Sequence, residues 1–273
     1  MKQHTNSLYN ELKIININKE LVKQSIKRDF FSRYQGSLFG VIWAFLMPLF
    51  LLAVYTFVFS VIFKAKWGVG EGQSKLDFAL ILFIGMIIYN FFAEVLTRSP
   101  GVIIGNVNFV KKVVYPLETI PLMVVGTAFL NMVISFIVWE LAFLFIKQSI
   151  NYTFIYIPIL IIPLVFMMLG LSLFLSSLGT YIRDISQIAG VLVTVFMFLS
   201  PIFFSIDTVP HQFRIFMQIN PLTFFIEEAR NILFFEQKPD FTYLLIYYPI
   251  SIVALKLGFI FFQKTRSGFS DVI

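Results

Sequence analysis

Apolar and polar positions along this chain fall into blocks rather than short alternations. Runs of about 20 mostly apolar residues recur at 38–63, 78–95, 120–145, 154–178, 188–204 and 243–262, and a helix of that length crosses a hydrocarbon layer roughly 30 Å thick. Helix is the required winding, because a backbone in lipid must satisfy its own hydrogen bonds. The pattern predicts an all-α integral membrane fold with six transmembrane helices. No internal repeat or polar domain interrupts it, so a single membrane domain fills 1–273.

Two segments outside these runs carry a helical period of their own. In 18–34, Asn18 stands where a helix cap belongs; Val22, Ile26 and Phe30 then recur at i, i+4 and i+8, with Lys19, Lys23, Lys27 and Arg28 on other faces. This is the pattern of an amphipathic helix in the membrane interface, its apolar face in lipid and its cations near anionic headgroups; a solvated leader is the alternative. Between the fifth and sixth spans, 201–240 is too polar for a crossing and too apolar for an ordinary loop. The stretch 210–219 makes a helix of only about 15 Å. Asn220-Pro221 breaks it and caps a second helix, in which Leu222, Phe225, Ile226, Ala229, Ile232 and Leu233 line one side and Glu227, Glu228 and Asn231 the other. Two short re-entrant helices dipping into the outer leaflet satisfy both length and polarity; a surface hairpin is the alternative.

Composition sharpens the class. Apolar residues are 58% of the chain and charged residues 13%, against roughly 25% charged in a soluble domain, which argues against a water-soluble fold. The formal charge of +6 does not point to nucleic acid, since the basic residues sit at span ends, where they set orientation. With both ends inside, the cytoplasmic side holds Lys2, Lys13, Lys19, Lys23, Lys27, Arg28, Arg33, Arg98, Lys111, Lys112, Arg183, Lys264 and Arg266, and the outer side the fewer Lys64, Lys66, Lys75, Lys147, Arg214, Arg230 and Lys238. The bias predicts a multi-pass cytoplasmic (inner) membrane protein with both termini cytoplasmic. The first apolar run begins only near Leu38, so no signal-peptide pattern is present.

Candidate chemistry is sparse. There is no cysteine, and His4 and His211 lie far apart with no third ligand nearby, so no metal site is expected. The chain lacks a GxxxxGK[ST] phosphate loop, a HExxH pair and a GxSxG elbow. No catalytic residue and no cofactor is expected in this chain. Glu94, Glu140 and Lys256 lie within spans but away from their centres, and snorkelling toward the interface is preferred over an ion pathway. Aromatic residues form two stripes on the first span, Trp43, Phe50 and Phe57 at i, i+7 and i+14, and Tyr55, Phe59 and Phe63 at i, i+4 and i+8. Flat aromatic faces could line a conduit on which sugar rings slide, whereas packing alone is the blander reading.

Several blocks resemble one family. The run from Arg33 through Tyr34, Gly36 and Gly40 to Trp43, followed by Pro48, resembles the entry to the first helix in membrane subunits of ABC exporters for O-antigens, capsules and teichoic acids. Lys64, Lys66 and Trp67 stand in what resembles the outer loop of O-antigen members. The run from Asn108 to Glu118 is similar to the cytoplasmic stretch between helices two and three, and Tyr181 to Ile185 and Ser200-Pro201-Ile202 resemble the fourth loop and the end of the fifth helix. The resemblance covers the chain from about residue 20 to its end.

The resemblance implies a homodimer of six-helix subunits, each docked on a separate ATP-binding subunit that carries ATP and Mg, and exporting a lipid-linked polysaccharide. By the same resemblance Arg28, Arg33, Tyr34, Arg183 and Asp184 flank the cytoplasmic entrance, and Phe109, Lys111, Lys112 and Tyr115 couple to the ATPase. Two-fold assembly accords with six helices that show no repeat. Two other classes stay open: a proton- or ion-driven carrier, and a drug or lipid exporter of the same ABC class.

Overall fold

The computed structural model describes residues 18–62, Trp67, 75–111 and 115–273. Lys112 and most of the outer loop that follows the first span lie outside the described residues. In chain order the helices are α1 (Lys19–Ser32), α2 (Trp43–Tyr55), α3 (Lys75–Arg98), α4 (Val107–Lys111), α5 (Thr119–Lys147), α6 (Ile157–Tyr181), α7 (Ile185–Leu199), α8 (His211–Ile219), α9 (Pro221–Leu233), α10 (Phe241–Thr265) and α11 (Phe269–Val272). Among the described residues there is no strand.

Among the described residues, five helical stretches are long and apolar enough to cross a bilayer: Gly40–Phe59, Leu76–Arg98, Thr119–Lys147, Tyr152–Tyr181 and Phe241–Val272. The apolar run expected as the fifth of six spans gives α7, which has 15 residues and so extends about 22 Å. Ser200 takes an extended backbone and ends it. Asn220, Asp240 and Asn151 start the elements after them by accepting backbone N–H groups, from Leu222 at 3.0 Å, Thr242 at 2.9 Å and Thr153 at 3.0 Å.

The core is organised around α3. Every side chain from Phe78 to Tyr89 is buried, which explains why this helix is apolar on all sides. It is enclosed by α2, α5, α7 and α9. Trp139 on α5 donates its indole N–H to the Leu80 carbonyl at 2.9 Å, and the Tyr89 hydroxyl donates to the Val193 carbonyl of α7 at 2.9 Å. The pairing of α6 with α10 rests on two glycines: a Cβ on Gly170 would collide with the Ala254 carbonyl, and one on Gly258 with the Gly170 carbonyl. Small residues at a helix crossing bring backbones into van der Waals contact, the source of association where lipid is as apolar as protein.

The bundle has two distinct ends. At one, a buried cluster of Val102, Ile103, Ile120, Phe262 and Phe269 joins the α3–α5 connection to the last residues of the chain, and α1 packs beside it. At the other, α8 and α9 fold back over the break after α7, and Asp77 pairs with Lys147 at 2.8 Å.

The apolar face of α1 turns partly toward α5. Val22 and Ile26 face α5 across a shared apolar groove, and Ile26 fills the notch that a side chain at Gly126 would occupy. Asn18 takes the cap position without a side-chain cap bond, its carbonyl accepting from the Val22 N–H at 2.9 Å.

Candidate functional site

The aromatic stripes of α2 separate in space. Trp43 is half-buried, with Phe39 edge-on at 5.6 Å, while Phe50 and Phe57 are 57% and 58% exposed. The spacing that aligns Tyr55 with Phe59 presumes α winding, but Thr56–Ile62 winds as a π-helix, whose i→i+5 bonding shifts the register. Phe59 turns toward the interior and stacks on Phe203 at 5.7 Å, with Phe78 at 5.8 Å. Tyr55 is half-buried against the same core. On α7, Ile188, Val191, Val195 and Phe198 are exposed and only Ala189 is buried. Two neighbouring helices of α3 therefore present apolar faces that none of the described residues covers.

At the α1 end, five polar side chains from α1, α3 and α5 form one network. Arg98 donates to both oxygens of Asp29, at 2.8 and 2.9 Å, and to Glu94 at 3.1 Å. Arg33 pairs with Glu94 and with Asp29, and the Asn131 amide donates to the other oxygen of Glu94 at 3.0 Å. Burial pushes the Asp29 carboxyl up, but hydrogen bonds from Arg98 and Thr127 and the charges of Arg98 and Arg33 outweigh it and hold it below the usual carboxylate range. Glu94, expected to snorkel, is thus held by protein partners. Glu140 keeps one carboxylate oxygen buried without a partner among the described residues, and Lys256 is exposed on α10.

Of the residues expected at the entrance and in the coupling segment, the structure brings Arg28, Phe109 and Tyr115 together. Phe109 and Tyr115 stack at 4.4 Å, Arg28 lies over the Phe109 ring at 5.4 Å, and the Tyr115 hydroxyl is 3.1 Å from that of Ser25. The connection around α4 therefore rests on α1 and leaves Lys111 exposed. Tyr34 is half-buried beside Phe30 at 5.5 Å. Arg183 and Asp184 are exposed in the tight turn between α6 and α7 and form no ion pair with the Asp29 network. At the start of α5, buried Glu118 pairs with Arg266 and accepts from Gln263 at 2.6 Å, which ties the connection to α10.

Sequence reasoning missed Arg230. Counted only as an outer-side charge, it is 1% exposed and donates to the carbonyls of Pro201 at 2.5 Å, Ile202 at 2.9 Å and Ile81 at 3.2 Å, and to Glu227 at 2.9 Å. Its guanidinium lies 4.1 Å from the centre of the Trp67 ring. Asn220 adds donations to the Leu199 carbonyl at 3.3 Å and the Ser200 hydroxyl at 2.8 Å. Asn220 and Arg230 thereby supply donors to carbonyls at and just beyond the C-terminal end of α7, where an apolar setting makes unpaired carbonyls costly. A Cβ on Gly85 would come within 2.8 Å of that guanidinium, so the glycine makes room for it. The sequence signal was available: a lone Arg at i+3 from Glu227, on the otherwise apolar side of an amphipathic helix.

Among the described residues no group of His, Asp and Glu gathers to hold a metal ion. What the arrangement offers is a tightly tied bundle, an ion-paired amphipathic helix and apolar faces left uncovered by the described residues.

Several known proteins are similar to this chain in sequence. An O-antigen export system permease protein of Klebsiella pneumoniae is 27% identical over 252 residues, covering 90% of this chain and 92% of that protein. One from Myxococcus xanthus is 22% identical over 91% of this chain and 93% of its own. A polysialic acid transport protein of Escherichia coli is 23% identical over 79% of this chain and 81% of its own. The sequence profile of the ABC-2 type transporters matches residues 20–234, a span that takes in the ion-paired interfacial helix, the connection around α4 and the α7 break with its buried arginine. The chain belongs to the ABC-2 type transporter family.

Proposed function

We propose that this chain is the transmembrane subunit of an ATP-driven exporter of a lipid-linked polysaccharide, with O-antigen as the first candidate. It works as a homodimer with two copies of a separate ATP-binding subunit, which supplies ATP and Mg. The observation that carries this reading is the match to O-antigen export permeases along about nine-tenths of both chains. In this arrangement the chain crosses the inner membrane six times, with α7 as the short fifth crossing, α8 and α9 as re-entrant outer helices, and both termini cytoplasmic. The whole chain acts as a single membrane domain.

The exposed faces of α2 and α7 meet their counterparts across the two-fold axis. Trp43, Phe50 and Phe57 then offer apolar planes to a passing glycan, with Tyr55 and Phe59 behind them. Stacking tolerates sliding, whereas a fixed hydrogen bond would have to break at each step. Lys111 and Lys112 meet the ATPase through the connection around α4. Because that connection rests on α1 through Arg28 and Tyr115 and on α10 through Glu118, a push there moves the entrance and the last helix together.

A capsule glycan is the second reading, favoured by similarity to the polysialic acid transport protein. The test is transport in vesicles: the chain reconstituted with its ATP-binding partner should move a lipid-linked O-polysaccharide only with ATP. Transport without the partner, or of small drugs and not of glycan, would overturn the reading; transport of a capsule glycan alone would select the second.

A further inference from the structure

A groove of about 480 Å³ runs along the outside of α5 and α6 and is closed at one end by α1. Val22 and Ile26 form that end, Gly126 and Phe129 one wall, and Ile162 and Val165 the other; every lining residue is apolar, and none comes from α2 or α7. The Ser172 hydroxyl donates to the Pro121 carbonyl at 3.2 Å, which registers α6 against α5. Leu122 and Leu169 therefore lie at the α1 end, and the groove rises along the bundle to Pro158 near the start of α6. Its axis follows the direction of a lipid tail.

The closed end carries charge. Lys19 and Lys23 stand three residues before Val22 and Ile26 respectively, and so border on the helix surface the residues that form the groove's end. Both are exposed, and neither forms an ion pair with a described residue. Ile26, seated in the notch at Gly126, and Asp29, paired with Arg98, fix α1 in place, which holds the turns that carry the two lysines beside the groove. An apolar channel with cations at its interfacial end matches a molecule with a hydrocarbon chain below an anionic head.

We infer that this groove binds one anionic phospholipid, an acyl chain lying between α5 and α6 and the phosphate held by Lys19 and Lys23. The polyprenyl carrier of the exported glycan is the less suited occupant, because no residue of the uncovered α2 and α7 faces reaches the groove. The inference rests on the exporter reading only for which leaflet supplies the lipid.

The experiment uses the purified full chain in detergent, titrated with phosphatidylglycerol or phosphatidylcholine of identical acyl chains and read by native mass spectrometry. One phosphatidylglycerol per chain should be retained well above phosphatidylcholine. The pair Lys19→Ala and Lys23→Ala, both on an exposed face, should weaken phosphatidylglycerol by roughly thirtyfold, the contribution of two juxtamembrane cations, and leave phosphatidylcholine unchanged. Ile162→Trp, which fills the groove from its exposed wall, should weaken both lipids. Equal retention of the two lipids, no response to the lysine changes, or displacement of phosphatidylglycerol by equimolar polyprenyl phosphate would each overturn the inference. Because nothing is transported in this assay, its failure is distinct from failure of the exporter reading.

Discussion

Arg98 on α3 donates to both carboxylate oxygens of Asp29 on α1, so the interfacial helix is held to the bundle by a bidentate ion pair as well as by apolar contact. The Asp29 carboxyl lies below its usual range in the folded chain. A depressed carboxylate contributes stability above its unfolded value, near 3.9, and loses it as pH falls through the lower folded value. Thermal melts of the purified chain should therefore decline on acidification below about pH 4. Asp29→Asn should lower the melting temperature at neutral pH and flatten that decline. An unchanged acid limb in the variant would show that Asp29 does not couple folding to protons.

Much of this fold was legible because lipid imposes few options: length and apolarity alone mark the crossing helices, and the amphipathic α1 and the Asn220-Pro221 break were readable from spacing and caps. What escaped were features set by tertiary contact. The π winding after Tyr55 depends on how Phe59 meets Phe203 and Phe78, and no local spacing announces it. The notch at Gly126 that seats α1 on α5 depends on residues 100 positions apart in sequence, Ile26 and Gly126. Arg230 read as a surface charge because its three carbonyl partners lie on other elements.

The glycine contact between α6 and α10 makes a sharp prediction. A Cβ at Gly258 would meet the backbone carbonyl of Gly170, which cannot rotate aside as a side chain can. Gly258→Ala should cost about 1–3 kcal/mol or more, as overpacking does. Gly190→Ala on α7, where a Cβ meets nothing within 4 Å, should be neutral or stabilise by up to about 1 kcal/mol through helix propensity. Paired thermal melts in one detergent measure the contrast.

Removing Arg230 leaves the carbonyls of Pro201, Ile202 and Ile81 without their donor and Glu227 without its partner. Arg230→Met should destabilise by about 3–5 kcal/mol, the range for breaking a buried pair from one side. Arg230→Lys should rescue little, because a single ammonium lacks the planar fork that reaches several acceptors. Tm and protease susceptibility around the α7 break are the readouts, and full rescue by lysine would reduce the site to a simple charge.

The α1 end carries Lys111, Arg183 and the last residues of the chain, and the charge bias assigns that end to the cytoplasm. Single cysteines at Lys111 and Arg183, both exposed, should resist a membrane-impermeant thiol reagent in intact cells and react after permeabilisation. A cysteine at Gln237, exposed at the opposite end after α9, should react from outside. The reverse pattern would invert the orientation.

The aromatic face of α2 decides between conduit and packing. Phe50 and Phe57 are exposed, whereas Phe59 stacks within the core, so the three residues should respond differently to truncation. Phe59→Ala removes buried contacts and should destabilise by about 3–5 kcal/mol at most, as large-to-small core changes do, with export falling in step with folded protein. Phe50→Ala and Phe57→Ala leave no internal cavity, so the isolated chain should keep its melting temperature. If these rings face the glycan path, export should drop while folded protein and coupled ATP hydrolysis persist, since the lost stacking affects only the moving substrate. If they face lipid, neither export nor hydrolysis should change. Measuring protein level, ATP hydrolysis and glycan export in the same reconstituted preparations separates these outcomes, and unchanged export in the Phe50→Ala, Phe57→Ala double variant would remove α2 from the conduit.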